Sequence, residues 1–220
     1  MKLLMISGGM DHPFVVTTPI YEDFLKAAGH DVRVTEDISV LRESVNMKSY
    51  DALVFNTKRE SIFRFNHGLF NWSEKEQVGI KEFISSGKGL VCLHISCYLD
   101  LSWPDYHDIT GGGWIDYKSH HSPYGKVIVN VSDPKHPGVQ GVADFTTNDE
   151  LYMGMGCRDD NDVFITGTTE DFPGGAFPLG WTRKYGDGKV YVLLLGHDGQ
   201  SCQTAEFQKI VLNGVDWVTG

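Results

Sequence analysis

The sequence lacks any apolar segment long enough to cross a membrane. Its longest hydrophobic runs have the length of single strands, whereas a spanning helix needs about 20 predominantly apolar residues. The N-terminus carries only four apolar residues directly after Lys2, fewer than the hydrophobic region of a secretory signal peptide requires. We therefore expect a cytoplasmic protein, unless a leader was removed before the numbering begins.

Positive charge is also scarce. The 220 residues include 19 Lys and Arg against 29 Asp and Glu, which gives a formal net charge of -10. Nucleic acids and anionic membrane surfaces attract proteins through a basic field, which this chain lacks unless a local patch forms in the fold. We therefore expect neither nucleic acid nor a membrane as a partner.

Cysteine is sparse, and no two cysteines have the CxxC spacing. Cys92, Cys97, Cys157 and Cys202 thus argue against a zinc ribbon or a thioredoxin motif. A chain of this size does not need a disulfide framework, so we expect free, mostly buried thiols. Internal repeats and linkers are absent too, and the length suits one domain over residues 1–220.

Glycine, by contrast, is abundant, and it separates apolar runs that alternate with amphipathic segments. The chain has 25 glycines, about 11% against a usual 7% or so. Thr18-Pro19 predicts a helix start, with Gly29 as its end, and Ser73 to Glu76 forms a capping box for a second helix. Buried strands are predicted at 2–7, 31–35, 50–56 and 89–94.

This alternation predicts an α/β fold with an open, mostly parallel sheet covered on both faces. The pattern changes after about residue 104, where added strands are predicted at 126–131, 150–155, 163–168 and 190–195. A last helix over 204–218 completes the chain.

Histidines follow the predicted strand ends, where ligands bind in parallel sheets. His12 lies after the first strand, His94 ends the fourth, and His197 ends the last. Neutral imidazole can bind a metal or act as acid or base. Three histidines with a carboxylate suit zinc or a similar divalent ion, although the spacing matches no compact motif such as HExxH. The alternative for each histidine is a hydrogen bond to the backbone at a strand end.

A cysteine nucleophile on a strand-to-helix elbow is a competing interpretation. Such an elbow needs small residues two positions on either side of the nucleophile. Around Cys92 these positions hold Leu90 and His94. A buried strand residue is the favoured interpretation of Cys92.

Aromatic and basic residues in the predicted loops offer contacts for a substrate. Tryptophan and tyrosine rings stack on the C–H faces of sugars, and ordinary packing is the alternative for each of them. Lys58, Arg59 and Glu60, together with Arg64 and His67, follow the third strand. They either meet a hydroxyl or carboxylate of a ligand or form a solvated turn.

Several short motifs follow one another along the chain in a specific order. They are GKGLVCLH at 87–94, WPDY at 103–106, GGGW at 111–114, His120, DPKHP at 133–137, DELY at 149–152, Trp181, YGDGKV at 185–190 and LGH at 195–197. Their order resembles that of the ThuA-like family of trehalose-utilisation proteins. The resemblance covers nearly the whole chain. It departs at Cys92, where glycine is expected, and in a longer aromatic loop over 63–72.

This resemblance implies a three-layer, flavodoxin-like fold similar to that of class I glutamine amidotransferases, without their catalytic triad. It also implies a role in carbohydrate catabolism, in the trehalose case beside dehydrogenases that make 3-keto sugars. The recurring polar residues of the family correspond by position to His12, His94, His120, Glu150 and His197.

The sequence thus predicts an enzyme acting on a sugar or 3-keto-sugar derivative by acid/base or metal-assisted isomerisation, elimination or hydrolysis. A non-catalytic sugar-binding or regulatory domain is the alternative. The partner is a small-molecule carbohydrate, and homo-oligomer formation stays open. The predicted catalytic residues are His94, His197 and Glu150. The predicted substrate-binding residues are His12, Arg59, Trp103, Tyr106, Trp114, His120 and Tyr152. A divalent metal such as zinc would be bound by His12, His94, His120 and His197.

Overall fold

The computed structural model describes residues 1–60 and 71–220, and its first half alternates strands with helices. In chain order these elements are β1 (Lys2–Gly9), α1 (Phe14–Ala27), β2 (Asp31–Thr35), α2 (Ser44–Met47), β3 (Ala52–Lys58), α3 (Glu74–Ser85), β4 (Gly89–Leu93) and α4 (Tyr106–Thr110). The strands predicted for this half are all present, with ends that differ by no more than two residues.

The second half consists mainly of strands. It contains β5 (His120–His121), β6 (Gly125–Val131), β7 (Phe145–Asp149), β8 (Tyr152–Met153), β9 (Asp162–Thr169), β10 (Phe172–Tyr185), β11 (Gly188–Leu193), α5 (Gly199–Cys202) and α6 (Ala205–Thr219). The predicted strand over 150–155 is shorter than expected. The strands β7 and β10 were not predicted, because β7 is largely polar and β10 contains the turn-forming sequence Pro173-Gly174-Gly175.

One sheet combines the strands of both halves in the order β2-β1-β3-β4-β11-β10-β9-β6-β7. The pairs from β2 to β11 are parallel, and the pairs from β11 to β7 are antiparallel. All five residues of β4 are buried, as expected for a parallel strand covered on both faces. The predicted α/β fold with a flavodoxin-like, amidotransferase-like sheet and added strands is confirmed.

The start of α1 corrects the prediction from Thr18-Pro19. The helix begins at Phe14 and carries Pro19 inside it. The hydroxyl of Thr18 does not cap the helix, because it forms hydrogen bonds with the side chains of Ser7 on β1 and Asn56 on β3. A cap-like sequence therefore fixes α1 against the sheet.

The other predicted helices begin and end close to their predicted positions. The backbone N–H of Ser73 donates to Glu76 at 2.9 Å, which completes the capping box of α3. The hydroxyl of Thr204 accepts from the N–H of Phe207 at the start of α6. The rings of Tyr21 and Phe207 lie 5.9 Å apart, so α1 and α6 pack together. No helix among the described residues is long and apolar enough to cross a membrane.

Candidate functional site

Four chain segments meet at the carboxyl edge of the parallel strands. His12 lies between β1 and α1, His94 directly follows β4, and His197 lies in the loop after β11. Glu150 joins β7 to β8. One ligand atom from each of these four side chains lies within 4.8 Å of the others. The strand ends thus bring together the three histidines and the carboxylate that the sequence singled out.

His94 occupies a strained turn between β4 and a short 3-10 helix (His94–Cys97). Its φ of 50° lies in the left-handed region. This conformation costs free energy for a non-glycine residue, and such strained residues cluster at functional sites. The turn resembles the strand-to-helix elbow that presents a nucleophile in other α/β enzymes. Here the turn presents His94, whereas Cys92 lies inside β4 and is fully buried.

A hydrogen bond fixes the tautomer of His94. Its Nδ1 donates to the carbonyl of Leu194 at 2.8 Å, so the lone pair on Nε2 faces the cluster. The hydroxyl of Tyr152 donates to that Nε2 at 2.7 Å. Burial, followed by repulsion from His12, holds the pKa of His94 well below its usual range. The neutral form of His94 is therefore stable at neutral pH.

His12 is held in its neutral form as well. Burial and the nearby His197 lower the pKa of His12 to about 4. Its Nε2 lies 3.3 Å from the Tyr152 hydroxyl, and its buried Nδ1 has no hydrogen-bond partner among the described residues. A neutral imidazole is the form that coordinates a metal ion.

Glu150 connects the remaining histidines of the site. Its Oε2 lies 3.1 Å from Nδ1 of His197 and 3.9 Å from Nε2 of His94. The hydrogen bond with Glu150 is the main reason why the pKa of His197 is raised. The other oxygen, Oε1, lies 3.4 Å from Nδ1 of His121. Glu150 is therefore placed to hold a charge-assisted network or to bind a cation.

Asp149 fixes the backbone that carries two of these side chains. It is fully buried and accepts hydrogen bonds from the backbone N–H groups of Gly196 (2.7 Å), Glu150 (2.8 Å) and His197 (3.3 Å). Burial raises the pKa of Asp149 to about 7 against the opposing effect of these donors. One side chain thus ties the β7–β8 connection to the loop after β11.

With His94 buried beside them, His12, Glu150 and His197 of this cluster line a cavity of about 230 Å³. Lys58 and Asp11 stand at its wall and form an ion pair of 2.8 Å. Burial opposes the charge on Lys58, but hydrogen bonds to Asp11 and Glu60 raise its pKa overall. The lining residues are Asp11, His12, Lys58, Ile95, Trp114, His121, Glu150, Tyr152 and His197.

The donor set suits a tetrahedral divalent ion. Zn–N and Zn–O bonds of about 2.0–2.2 Å place tetrahedral ligand atoms about 3.3 Å apart. In the structure Nε2 of His94 lies 3.3 Å from Nδ1 of His197, which lies 3.1 Å from Oε2 of Glu150. The Nδ1–H bond from His94 to a carbonyl is the kind of outer contact that orients a metal-binding imidazole. His12, His94, Glu150 and His197 could therefore hold such an ion.

Several predicted site residues lie elsewhere. His120 is exposed on β5, and its ring faces Phe172 at 6.5 Å, so the structure does not bring it to the cluster. Trp103 and Tyr106 are buried and stack on each other with ring centres 4.6 Å apart. These two aromatic rings belong to the hydrophobic core and are not among the residues that line the cavity.

Arg59 also points away from the cavity. Its guanidinium donates to the carbonyl of Glu36 at 3.2 Å and to the hydroxyl of Thr57. It also lies over the ring of Trp72 at 5.9 Å. Arg64 and His67, and residues 63–70 of the aromatic loop, lie outside the described residues.

The sequence prediction missed Asp11 and His121, which line the cavity, and it left Lys58 open between a ligand contact and a solvated turn. The signal for His121 was its position next to His120, since alternate residues of a strand face opposite sides. Lys58 is the last residue of β3, and Asp11 follows β1. The rule that ligands bind at the carboxyl ends of parallel strands, which identified the histidines and is called the strand-end rule below, therefore applies to both residues. Trp114 and Tyr152 were predicted, and the structure places both at the cavity.

Comparisons with known proteins identify the fold. The family model ThuA, described as trehalose utilisation, matches residues 2–218. A ThuA-like protein from Parabacteroides merdae is 22% identical over 100% of this chain and 90% of that chain, with a TM-score of 0.81. A cytoplasmic protein from Salmonella typhimurium is 15% identical over 99% of each chain, with a TM-score of 0.71. A GMP synthase subunit from Thermoplasma acidophilum is 14% identical over 99% of this chain and 95% of that chain, with a TM-score of 0.57. The chain matches no curated protein.

Proposed function

Because the chain belongs to the ThuA family, described as trehalose utilisation, we propose that it is an enzyme of carbohydrate catabolism. Its substrate is a sugar or 3-keto-sugar derivative, and its reaction is acid/base or metal-assisted isomerisation, elimination or hydrolysis. The observation that carries this proposal is the convergence of His12, His94, Glu150 and His197 within 4.8 Å, with His12, Glu150 and His197 lining a cavity. The Salmonella neighbour is a cytoplasmic protein, and we propose the same location for this chain.

A divalent ion, with zinc as the best match to the donors, is the proposed cofactor. When bound with a coordination position open to the substrate, such an ion would polarise a carbonyl oxygen as a Lewis acid. The low pKa values of His12 and His94 keep both imidazoles neutral at neutral pH, as coordination requires. Coordination through Nε2 of His94 would replace its hydrogen bond from Tyr152, and that hydroxyl would then be able to donate to a substrate oxygen.

The cavity sets a limit on the part of the substrate that enters it. Its volume of about 230 Å³ is below the roughly 300–1,000 Å³ of pockets that enclose drug-sized ligands. One sugar ring is therefore the proposed occupant. Trp114 provides a ring on which C–H groups can pack, and Lys58 offers N–H donors to hydroxyl groups.

An amidotransferase activity has no support from the site. The thiol of Cys92 forms a hydrogen bond with the Tyr106 hydroxyl, and burial raises the pKa of Cys92 to about 12. A nucleophilic cysteine needs an accessible thiolate. The similarity to the GMP synthase protein is thus a similarity of fold.

Metal analysis tests the cofactor. We expect protein purified without chelator to contain about one equivalent of zinc or a related ion per chain, as four converging donors predict. Glu150→Gln keeps the size of the side chain and removes its charge, so metal content should fall. His30→Ala is the control. His30 lies at the end of α1 opposite to His12, and therefore away from the cluster, so this variant should keep its metal content. Metal-free wild-type protein, even after incubation with zinc, would contradict the metal-dependent mechanism.

Activity on the 3-keto derivative of trehalose tests the reaction. We expect conversion by the wild type, and its loss in His94→Ala and His197→Ala. Full turnover by both variants would remove these residues from the mechanism. Tight binding by calorimetry without any product by mass spectrometry would favour the alternative of a non-catalytic sugar-binding domain.

A further inference from the structure

His121 lies on the cavity wall with one ring nitrogen engaged and the other available. Its Nδ1 lies 2.7 Å from the carbonyl of Ser122 and 3.4 Å from Oε1 of Glu150. Both neighbours are acceptors, so Nδ1 carries the proton of the neutral ring. Nε2 is then an acceptor, and it has no hydrogen-bond partner among the described residues. The side chain is 43% exposed and lines the cavity.

The short ribbon of β5 and β8 directs His121 toward the cluster. The two strands are antiparallel, with His121 opposite Tyr152 and His120 opposite Met153. Opposite residues share a face of the ribbon, whereas successive residues face opposite sides. The ring centres of His121 and Tyr152 are 6.1 Å apart, and the Tyr152 hydroxyl reaches His94. His121 therefore lies on the cluster side and His120 on the other.

The three histidines of the cluster each direct a ring nitrogen into it. His94 donates from Nδ1 to a carbonyl and directs Nε2 into the cluster. The Nδ1 of His12 is buried, and its Nε2 faces the Tyr152 hydroxyl. His197 directs Nδ1 at Glu150 and His94, so this nitrogen is engaged in the cluster, and its side chain is 24% exposed against 43% for His121. Lys58, paired with Asp11 and Glu60, is a donor.

We propose that His121 is the catalytic base of the reaction, taking a proton at Nε2 from the substrate carbon next to a carbonyl group. This inference rests on the proposed function and adds a residue that the metal-binding cluster does not use. The C–H bond breaks, its electron pair forms a carbon–carbon double bond, and the carbonyl π pair moves to the oxygen to give an enolate. In an isomerisation the proton held on Nε2 goes to the former carbonyl carbon, while the hydroxyl proton of the α-carbon moves to the enolate oxygen, so the carbonyl shifts by one carbon. In an elimination the enolate re-forms the carbonyl, a double bond forms between the α- and β-carbons, the C–O bond at the β-carbon breaks, and the proton goes to the departing oxygen. No external oxidant or reductant is consumed.

The test compares His121→Ala with His120→Ala, its neighbour on the opposite face of β5. Each purified full-length protein is loaded with zinc and mixed with the 3-keto derivative of trehalose in deuterated water. Uptake of deuterium at the carbon next to the carbonyl is followed by mass spectrometry, and kcat and KM are measured in parallel. Zinc content and circular dichroism report whether the site and the fold persist. His121→Gln serves as a second variant of similar size in case the alanine variant fails to fold.

We expect His121→Ala to lose about 100-fold or more in kcat and in deuterium uptake, which is typical for removal of a general base, while His120→Ala changes by less than about threefold. Zinc content should match the wild type in both variants. Added imidazole should restore part of the activity of His121→Ala, because the space left by the ring lies on the cavity.

Three results would overturn the inference, and they differ in what they mean for the proposed function. Equal deuterium uptake by wild type, His121→Ala and His120→Ala would exclude His121 as the base while leaving the proposed enzyme intact. Absence of uptake and of product in the zinc-loaded wild type would overturn both this inference and the proposed function. Loss of zinc from His121→Ala and His121→Gln would show that His121 supports the metal-binding cluster instead of taking the proton.

Discussion

At the scale of single residues, Cys92 shows how environment decides reactivity. The residue precedes the strained turn at His94 by two positions, yet its thiol is buried and its pKa is raised to about 12. We expect iodoacetamide at neutral pH to leave Cys92 unmodified in the folded protein, because the reactive thiolate is almost absent. The half-buried Cys157 should react first, and all four cysteines should react in urea. Peptide mass spectrometry reads the result, and rapid labelling of Cys92 in the folded protein would contradict this account.

Asp149 illustrates a residue that acts through its neighbours. Its carboxylate accepts from three backbone N–H groups, and Asp149→Asn would turn a donor toward at least one of them. We expect zinc affinity to fall about 10- to 100-fold, as when an outer contact of a metal site is lost. Competition with a chromogenic chelator measures the affinity. Asp171→Asn, in the exposed turn between β9 and β10, should bind zinc as the wild type does, and an equal affinity in Asp149→Asn would refute the positioning role.

At the scale of elements, His136 links a short 3-10 helix (Pro137–Val139) to β9 and β10. Its Nδ1 accepts from the N–H of Gly138 at 3.0 Å, and its Nε2 lies 3.1 Å from the hydroxyl of Thr182. The ring stacks on Phe164 with centres 5.0 Å apart. An imidazolium would place a proton on Nδ1 against the Gly138 N–H, so these contacts require the neutral ring.

This contact predicts a pH-dependent contribution to stability. Burial lowers the pKa of His136 in the folded state, so below the unfolded pKa of about 6.5 the unfolded chain binds a proton that the folded chain does not. The stabilisation is fully present above that pH and is lost as the pH falls. We expect His136→Gln to be less stable than the wild type at about pH 7.5, with a smaller difference at about pH 5.5. Urea unfolding measures both, and a difference that stays constant with pH would exclude this linkage.

At the scale of the whole molecule, the proposed metal site should couple ligand binding to stability. An ion that binds only the folded chain stabilises it by about 2.7 kcal/mol at a free concentration of 100 Kd. For a chain of this length, that corresponds to a rise in Tm of about 5–10 °C. We expect this rise when zinc is added to chelator-treated wild type, measured by calorimetry. Glu150→Gln should show a much smaller rise, and an equal rise in both proteins would place the zinc elsewhere.

The sequence was sufficient for the parallel half of the sheet, because its buried strands are continuous apolar runs separated by glycine. It failed where local signals serve another purpose. Thr18 has the chemistry of a helix cap but binds Ser7 and Asn56, and the glycines and prolines of β10 read as turns although the strand continues through them.

The candidate site, like the fold, was predictable only in part from the sequence. The strand-end rule brought His12, His94 and His197 together, because the carboxyl ends of parallel strands share one edge. The choice between His120 and His121 depends on which of the two side chains faces the cavity. A strand of two residues has no alternation of apolar and polar side chains, so its sequence does not show which face is buried. Trp103 and Tyr106 could not be assigned from sequence, since an aromatic side chain near a loop suits the core and a binding surface equally well.

The four segments that carry the cluster are far apart in the chain, and this separation bears on how the protein folds. The parallel half can pair its strands through short βαβ crossovers, but residues 12, 94, 150 and 197 meet only after β11 has inserted between β4 and β10. Contacts of such long sequence separation form late, because their loop-closure entropy must be met first. We therefore expect the cluster to form late in folding and, during synthesis, only after β11 and His197 have left the ribosome.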